Sequence, residues 1–468
     1  MYQKTFVILA AVISLILLIA PVPAGVAPVV FRAAAVIVLV IGLWSTAVVP
    51  SFYGSLIFLF TAIVLETAPA KIVLSGFHAA ATWLVFGGLV LGLGIKQSGI
   101  DVRMVRAFLA HFPKSYIAMI YGIFWIAAAL SFIVPSAAGR VALLVPIMLS
   151  LADELGFEEN SNGRSGLVLA ATLGTMIPAF AVLPANVPNM ALYGAVESIY
   201  SLHLTYGDFF LLNYPVMGMA GLLFYPAIIS LLMKDTPRHP DHREEVKPWG
   251  SDERKLLVIL IIALGLWVTD TVHGVSPAWV ALGASIICLL PPMGPLKVGI
   301  MPPKFLGTDI DYGPIIFVAG VIGLGAVANH TGLGTIVAEQ LMDFIAIEKS
   351  TGLAGDFRNF ASISFISVVV GLLTTMPAQP SIMAPMAQTL ADASGWSLMS
   401  VLMTSMTAWM MMPMFYQAPP IVIAVALGKL RIGTVNKLLI TYMIFSILFV
   451  LPLHFLWGRT LGMFTGGN

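Results

Sequence analysis

The residue best suited to bind an anion is an arginine that lies inside an apolar stretch. The stretch covers residues 132–157 (FIVPSAAGRVALLVPIMLSLADELGF) and carries Arg140 near its centre. A charge within a bilayer costs several kcal/mol unless it faces a partner or water, so Arg140 is by default a candidate for function. Its guanidinium suits a planar oxyanion such as a carboxylate, sulfate or sulfonate. No acidic residue precedes Asp153 in the stretch, so the partner would come from outside the protein; the alternative is a structural arginine that binds helix-end carbonyls.

The chain contains a second copy of this stretch. When Pro385 is placed on Pro146, residues 371–396 align with residues 132–157, and Leu-Ala-Asp recurs at 151–153 and 390–392. Breaker residues and polar side chains lie about ten positions before the shared proline in each copy. The polar residues are Ser136 and Arg140 in the first copy and Thr374, Thr375 and Gln379 in the second. Paired membrane segments interrupted by Gly or Pro indicate a transporter binding site, although such hydroxyls often bond only within their own helix.

Another correspondence adds two polar loops that are broken by proline. Placing Pro413 on Pro178 brings Phe415 onto Phe180, and the loop at 184–189 (PANVPN) then has a counterpart at 417–420 (QAPP). Half-helix N-termini at such breaks attract anions, and unwound carbonyls attract cations. We therefore predict that the substrate is bound by Ser136, Arg140, Thr375, Gln379, Asn186 and Asn189.

Composition places the chain in a membrane. It has 468 residues, of which 59% are hydrophobic and 10% charged, and its mean hydropathy is +0.97. Such a chain could not present enough polar surface to dissolve as a globule, so we expect a polytopic membrane protein whose first apolar segment is a retained helix rather than a signal peptide. The formal net charge of +1 gives no reason to expect a nucleic-acid partner. Cys288 is the single cysteine, which excludes an intramolecular disulfide and a Cys-rich metal site.

The order of features indicates a duplicated unit. Placing Gly332 on Gly99 also aligns Gly325 with Gly92, so a glycine-rich hairpin recurs as well. Duplications in transporters are usually inverted about an axis in the membrane plane. We predict an all-α polytopic membrane protein with two inverted repeats, each with a re-entrant hairpin and a broken transmembrane helix, and about 11 spans.

The predicted units follow one another along the chain. N-terminal scaffold helices occupy residues 1–70, and the first repeat (71–233) contains a hairpin at 77–109, a broken helix at 116–152, an interrupted helix at 166–200 and a span at 209–233. A polar linker at 234–255 leads to the scaffold helices of the second repeat at 256–306. The second repeat (307–468) contains a hairpin at 311–345, a broken helix at 359–392, an interrupted helix at 398–428 and a last span at 438–456.

This arrangement resembles, over nearly the whole chain, the divalent anion/sodium symporter family, the sodium-dependent dicarboxylate, citrate and sulfate carriers of the ion transporter superfamily. Members carry Ser-Asn-Thr motifs in their broken helices and Pro-Pro-Asn in later loops. The corresponding segments here are Ser136-Ala137-Ala138, Thr375-Met376-Pro377, Val187-Pro188-Asn189 and Pro419-Pro420-Ile421. The chain departs from the family pattern, because Ala137 and Met376 replace both motif asparagines and Pro377 replaces a threonine.

The resemblance implies a secondary active symporter of a small anion such as a di- or tricarboxylate, sulfate or sulfonate, which works as a homodimer by an elevator-type mechanism in the cell (inner) membrane. It implies Na⁺ as the coupling ion and no other cofactor. The residues implied for the ion are Ser136, Ala137, Pro184, Ala185, Thr374, Thr375, Met376, Gln417 and Ala418. We infer that Arg140 partly replaces the positive charge that sodium supplies elsewhere in the family.

Two other functions are weighed against this one. The chain could be the membrane subunit of a carrier that is fed by a binding protein, which is a transporter of the same superfamily. It could instead be an intramembrane enzyme or a subunit of an ion pump, but the sequence shows neither the paired acid and base groups nor the metal-ligand clusters that such chemistry needs. We therefore expect a transporter and not an enzyme.

Overall fold

The protein is built from helices. The computed structural model describes residues 2–23, 25–46, 48–100, 103, 115–132, 136–237, 250–290, 299–345, 347–349 and 352–464, and every regular element in these ranges is helical. Parts of the predicted first hairpin (101–102 and 104–109), of the first broken helix (133–135) and of the polar linker (238–249) lie outside the described residues.

The first half of the chain forms twelve α-helices in the described ranges. They are α1 (Tyr2–Ile19), α2 (Pro28–Thr46), α3 (Ser51–Val64), α4 (Ala70–Val73), α5 (Ser75–His78), α6 (Ala80–Ser98), α7 (Tyr116–Leu130), α8 (Ala137–Glu154), α9 (Asn162–Met176), α10 (Val187–Tyr200), α11 (Tyr206–Asn213) and α12 (Met219–Leu232). Two short 3₁₀ helices, Pro178–Ala181 and Leu183–Ala185, lie between α9 and α10. A π-helical segment, Tyr214–Gly218, joins α11 to α12.

The second half repeats this order. Its helices are α13 (Ser251–Val268), α14 (Asp270–His273), α15 (Pro277–Leu289), α16 (Phe305–Thr308), α17 (Gly313–His330), α18 (Leu333–Met342), α19 (Leu353–Leu373), α20 (Pro380–Ser394), α21 (Leu398–Ser405), α22 (Pro419–Gly428), α23 (Ile432–Phe445) and α24 (Leu451–Thr460). The 3₁₀ helices Met406–Met410 and Phe415–Gln417 precede α22, and a π-helical segment, Ser446–Val450, joins α23 to α24.

Equivalent backbone features mark the two halves as copies of one unit. Gly99 ends α6 and Gly332 precedes α18, and each has a φ of 75°. This left-handed conformation favours glycine, which explains why the two positions align in the sequence. Pro146 and Pro385 lie inside α8 and α20, where each removes one helix hydrogen bond.

Helices α6 and α17, which lie in the two predicted hairpins, each pack on a helix of the other half. In the first contact, α6 lies against α15, and Ser285 Oγ donates a hydrogen bond to the carbonyl of Gly87 over 2.9 Å. A Cβ added to Gly87 would lie 2.9 Å from the Cβ of Ala281. In the second, α17 lies against α3, and a Cβ on Gly320 would lie 2.4 Å from that of Ser55. Glycine is therefore required for both approaches. The two halves therefore exchange packing partners reciprocally, and inversion of the repeats stays a prediction.

The helices have the length and composition of membrane spans. Seven helical segments in the described ranges are long and apolar enough to cross a bilayer, and shorter apolar helices of 10–17 residues accompany them. The predicted fold class, an all-α polytopic membrane protein, is confirmed.

Candidate anion-binding site

Four helices, which we call the half-helices, begin around one cavity of about 290 Å³. They are α8 and α10 of the first repeat and α20 and α22 of the second. Because α8 packs on α22 and α10 packs on α20, each pair combines both repeats. The residues that line the cavity at these breaks are Ser136, Ala137, Ala138, Asn186, Val187 and Pro188 of the first repeat, and Met376, Pro377, Ala418, Pro419 and Pro420 of the second.

The sequence at the breaks explains why helices start there. Ser136 Oγ accepts a hydrogen bond from the amide of Gly139 over 3.2 Å, so Ser136 is the N-cap of α8. Asn186 caps α10 in the same way, since its Oδ1 accepts from the amide of Asn189 over 3.2 Å. In the second repeat, proline occupies the first position of both α20 and α22. Proline suits this position because its fixed φ is already helical and its missing N–H has no partner to lose.

The cavity has the electrostatics of an anion site. Each helix start carries a partial positive charge from its aligned peptide dipoles, and the first residues of α3 and α17 line the cavity together with the four half-helix starts. Among the lining residues that the structure describes, Asp311 is the one with a charged side chain, and it is solvent-exposed. The attraction for an anion therefore comes from backbone groups rather than from a lining lysine or arginine.

Arg140 lies in α8, one turn beyond Ser136, and is 1% exposed. Its Nη2 donates a hydrogen bond to the carbonyl of Thr175 over 2.8 Å, and its Nη1 donates to the carbonyl of Ala185 over 3.1 Å. These carbonyls belong to the end of α9 and to the loop before α10. Arg140 does not line the cavity. It supplies a buried positive charge behind the first break and joins three elements there.

Gln379 occupies the position in the second repeat that aligns with Arg140. Its Nε2 donates to the hydroxyl of Ser367 and, over 3.2 Å, to the carbonyl of Ser405. Its Oε1 accepts a hydrogen bond from Nε1 of Trp409 over 3.2 Å. Gln379 therefore ties α20 to the end of α21, as Arg140 ties α8 to the end of α9, but without a charge. It also lies outside the cavity lining.

The second break is held by bonds between its own segments. Thr374 Oγ1 donates to the carbonyl of Val370 over 2.8 Å, which ends α19. Gln417 Nε2 donates to the carbonyl of Gly371 over 3.1 Å, and the carbonyl of Gln417 accepts the amide of Met376 over 2.9 Å. These contacts attach the loop before α22 to the break between α19 and α20.

Asn189 stabilises the loop before α10 in the first repeat by hydrogen bonds to its backbone. Its Nδ2 donates to the carbonyls of Ala179 and Val182 over 3.0 and 2.8 Å, so it closes the two 3₁₀ turns onto α10. The side chain is fully buried and does not line the cavity. Pro184 and Ala185 form the second of these turns, and the latter presents its carbonyl to Arg140.

The structure brings five of the predicted site residues to the cavity wall and places eight behind it. Those at the wall are Ser136, Ala137, Asn186, Met376 and Ala418. Those behind it are Arg140, Pro184, Ala185, Asn189, Thr374, Thr375, Gln379 and Gln417. Whether any of them contacts a substrate or an ion stays a prediction.

Sequence reasoning missed the apolar part of the wall. It is formed by Val85, Leu89, Met176, Phe180, Met190 and Phe317. Phe180 follows the proline that aligns the interrupted helices, but a lone aromatic residue next to a break does not distinguish a cavity wall from core. The breaker run at 311–314 (DYGP) also reaches the cavity, and its turn-forming residues were the available signal.

Comparison with known families decides the class of this protein. Residues 2–464 match the family model for the sodium:sulfate symporter transmembrane region. The chain belongs to this family. It is therefore a multi-pass membrane protein of a transporter family within the ion transporter superfamily.

Two curated relatives share about a quarter of their residues with the matched part of this chain. A membrane protein of Cupriavidus necator is 23% identical over 64% of this chain, and the match spans only 58% of that relative. The citrate/succinate antiporter of Escherichia coli K12 is 26% identical over 42% of each chain. Among solved structures, the Alcanivorax borkumensis YdaH transporter has a TM-score of 0.50 with 15% identity, covering 99% of this chain and 98% of that one, which shows the fold alone.

Sodium symport in this family raises the question whether these residues fit a sodium ion. In the first repeat, the carbonyls of Thr175 and Ala185 already accept hydrogen bonds from the Arg140 guanidinium, which stays protonated in proteins. A second cation at these oxygens would be repelled by that charge. In the second repeat, the carbonyls of Thr375 and Gln417 accept backbone amides. The first repeat does not fit sodium at these carbonyls.

Proposed function

We propose that the chain is a secondary transporter that exchanges small organic oxyanions, and that it binds them in the cavity where the four half-helices begin. The observation that carries this proposal is the convergence of four helix N-termini on one cavity, with the buried Arg140 one turn behind Ser136. In a medium of low dielectric, dipoles and charges interact far more strongly than in water. An oxyanion is therefore the ligand that this site favours.

The proposed substrates are carboxylates, sulfates or sulfonates. Planar or tetrahedral oxyanions can accept hydrogen bonds from several backbone amides at a helix start at once. The family is named for sulfate, and one relative is named a citrate/succinate antiporter, which supports sulfate and carboxylates respectively.

Arg140 is assigned the role that a bound cation has in a symporter. Its charge is covalently attached, so it accompanies the site in every conformation and cannot be released on either side. A positive charge is costly to move through a bilayer, and a bound oxyanion lowers that cost by offsetting it. Reorientation would then require an anion in each direction. Exchange, rather than sodium symport, follows from a resident arginine.

The proposal includes an elevator-type motion in a homodimer. The half-helices of both repeats pack on one another and would move as one body with the hairpin helices. Their contacts with the scaffold include close approaches of small residues, such as Gly87 against Ala281 and Gly320 against Ser55. Small residues at such contacts favour sliding of one packed body past another. A second copy would hold the scaffold in place.

A thermal-stability scan of the full chain tests anion binding. Dicarboxylates, citrate, sulfate and short sulfonates are added in sodium and in potassium buffers at equal ionic strength. Binding to the native state raises the melting temperature, by the equivalent of about 2.7 kcal/mol when the ligand is present at 100 times its Kd. We expect at least one oxyanion to stabilise the protein equally in both buffers. The dimethyl ester of succinate is the uncharged control, and stabilisation by no anion would overturn the proposal.

Exchange is tested in proteoliposomes. Vesicles loaded with succinate should take up radiolabelled succinate, and vesicles without internal anion should not. Uptake into empty vesicles that depends on an inward sodium gradient would contradict exchange and restore sodium symport.

A further inference from the structure

The two repeats offer the cavity different numbers of hydrogen-bond donors. In the first repeat, the amides of Ala137, Ala138 and Val187 precede the first helix bonds and have no partner among the described residues, and all three residues line the cavity. Asn186 also lines it, is 2% exposed, and has a buried Nδ2 without a hydrogen-bond partner in the described part of the chain. An unsatisfied buried amide of this kind is expensive unless a ligand completes it.

The second repeat has few donors to offer. Of the residues that line the cavity at its breaks, Pro377, Pro419 and Pro420 have no N–H, and the amide of Met376 is already donated to the carbonyl of Gln417 over 2.9 Å. Ala418 is the one such residue whose amide has no partner among the described residues. Donors for an oxyanion are thus concentrated at the first repeat.

The remaining wall is mostly apolar and includes one carboxylate among the residues that the structure describes. Side chains such as Val85, Leu89, Phe180 and Phe317 contribute surface without polar atoms. Asp311 is the charged side chain at the cavity, and its Oδ1 accepts the amide of Gly313 over 2.9 Å. Ser51, the first residue of α3, also lies in this wall, but the one charged side chain among the described lining residues is Asp311, which repels a second anionic group on the ligand.

The charge balance agrees with this asymmetry. Near the breaks, Arg140 supplies one positive charge at the first repeat, and the equivalent Gln379 is neutral. The first break thus has a positive charge in its supporting contacts, and the equivalent position of the second break has none.

We propose that the substrate carries one oxyanionic group and an apolar remainder, so that monocarboxylates or monosulfonates bind more tightly than dicarboxylates of the same chain length. This inference rests on the proposed function, because it concerns the substrate of the same cavity. The head group binds at Ala137, Ala138, Asn186 and Val187, and the apolar part lies against Phe180 and Phe317. A cavity of about 290 Å³ is at the small end of ligand pockets, which suits a body of a few carbon atoms.

Hexanoate and adipate form the test pair, since both have six carbon atoms and adipate adds a second carboxylate. Their Kd values are measured by thermal stability on the purified full chain at about pH 8, where both are fully ionised. We expect adipate to bind at least about tenfold more weakly, because its second carboxylate would lie against a mostly apolar wall that carries the negative charge of Asp311. Equal or tighter binding of adipate would overturn the inference. Hexanamide is the uncharged control, and stabilisation equal to that by hexanoate would also overturn it.

The variant Asp311→Asn tests the effect of the carboxylate in the cavity wall. Asparagine can still accept the hydrogen bond from Gly313, so the turn is preserved. We expect the adipate Kd to fall severalfold while the hexanoate Kd changes by less than about twofold. An unchanged ratio of the two Kd values would refute the placement of the second carboxylate near Asp311.

The outcomes separate this inference from the function on which it rests. If adipate, succinate or citrate binds and hexanoate does not, the inference fails and anion transport stands. If neither hexanoate nor any of the other anions stabilises the protein, the proposed function itself fails.

Discussion

Arg140 Nη2 lies 2.8 Å from the carbonyl oxygen of Thr175. This bond joins the start of one half-helix to the end of the preceding helix, and a second bond from Nη1 to Ala185 extends the connection to the loop before α10. In the second repeat, Gln379 makes the corresponding connection to Ser405 with a neutral amide. The two repeats share one architecture, but only the first has a resident cation behind its break.

Replacing Arg140 should cost both stability and anion affinity. Arg140→Gln removes a buried charge-assisted pair of hydrogen bonds, so we expect the free energy of unfolding to fall by about 2–4 kcal/mol. Oxyanion binding should weaken as well, because the positive charge behind the first break is lost. Arg140→Lys, which keeps the charge without the planar fork, should retain part of the affinity. Thermal unfolding with and without the anion measures both effects.

The matched control is Arg164→Gln. Arg164 pairs with Asp153, whose side chain is 66% exposed, so this substitution should change stability by no more than about 1 kcal/mol. An Arg140→Gln protein that folds and binds oxyanions with unchanged affinity would remove Arg140 from the account.

Gln379 should act on stability rather than on substrate affinity. Gln379→Leu leaves Trp409 Nε1 and the carbonyl of Ser405 without a partner, so the melting temperature should fall. The anion Kd should stay within about twofold, because Gln379 does not line the cavity. Gln388→Leu, on the exposed side of α20, is the control that should change neither. A large rise in Kd without loss of stability would support the direct substrate contact that was predicted from the sequence.

The reciprocal packing of the repeats can be tested with one methyl group. Gly320→Ala would place a Cβ 2.4 Å from that of Ser55, so we expect it to destabilise the protein by about 1–3 kcal/mol. Gly283→Ala in α15 is the comparison, because a Cβ there meets nothing within 4 Å. Alanine should be neutral or slightly stabilising at that position, since it is the better helix former. Similar melting temperatures for both variants would contradict the close contact of α17 with α3.

The ion pair between Arg103 and Glu253 predicts a pH dependence. The two side chains lie 2.8 Å apart ahead of the apolar part of α13, and the hydrogen bond from Arg103 holds the pKa of Glu253 below its ordinary value. A lowered carboxyl pKa contributes stability that is present above the unfolded pKa, about 4.3, and is lost as the pH falls through the folded value. The melting temperature should therefore drop as the pH is lowered below about 4.

Two variants identify the group responsible for that drop. Glu253→Gln should make the drop in melting temperature smaller, by the amount that this ion pair contributes. Glu348→Gln, in a pair whose carboxylate is 66% exposed, should leave the profile nearly unchanged. If the melting temperature of Glu253→Gln depended on pH as that of the wild type does, the ion pair would have no measurable role in the pH dependence of stability.

Breakers and their spacing made the broken helices predictable from the sequence. Pro146 and Pro385 align the two breaks, and Gly99 and Gly332 align two turns that share one left-handed conformation. Such positions have local causes, because proline removes a hydrogen bond and glycine alone tolerates that φ well.

The roles of individual side chains had no such local cause. Arg140 binds a carbonyl 35 residues away, and Gln379 binds one 26 residues away. The direction in which each side chain points depends on which helix packs beside it, and a sequence pattern contains no distance between helices. The same holds for Phe180 and Phe317, which line the cavity only because two repeats meet there. The sequence therefore predicts that a cavity lies at the breaks, but it does not predict which residues line that cavity.

The most direct test of a resident positive charge is the Kd for oxyanions in sodium and in potassium. Butane-1-sulfonate and succinate are titrated calorimetrically into the purified full chain in NaCl and in KCl at equal ionic strength. We predict that binding is detected in both salts, with Kd values that agree within about twofold, because Arg140 supplies the charge in each case. Binding that is detected only in NaCl would show that a sodium ion, and not Arg140, completes the site.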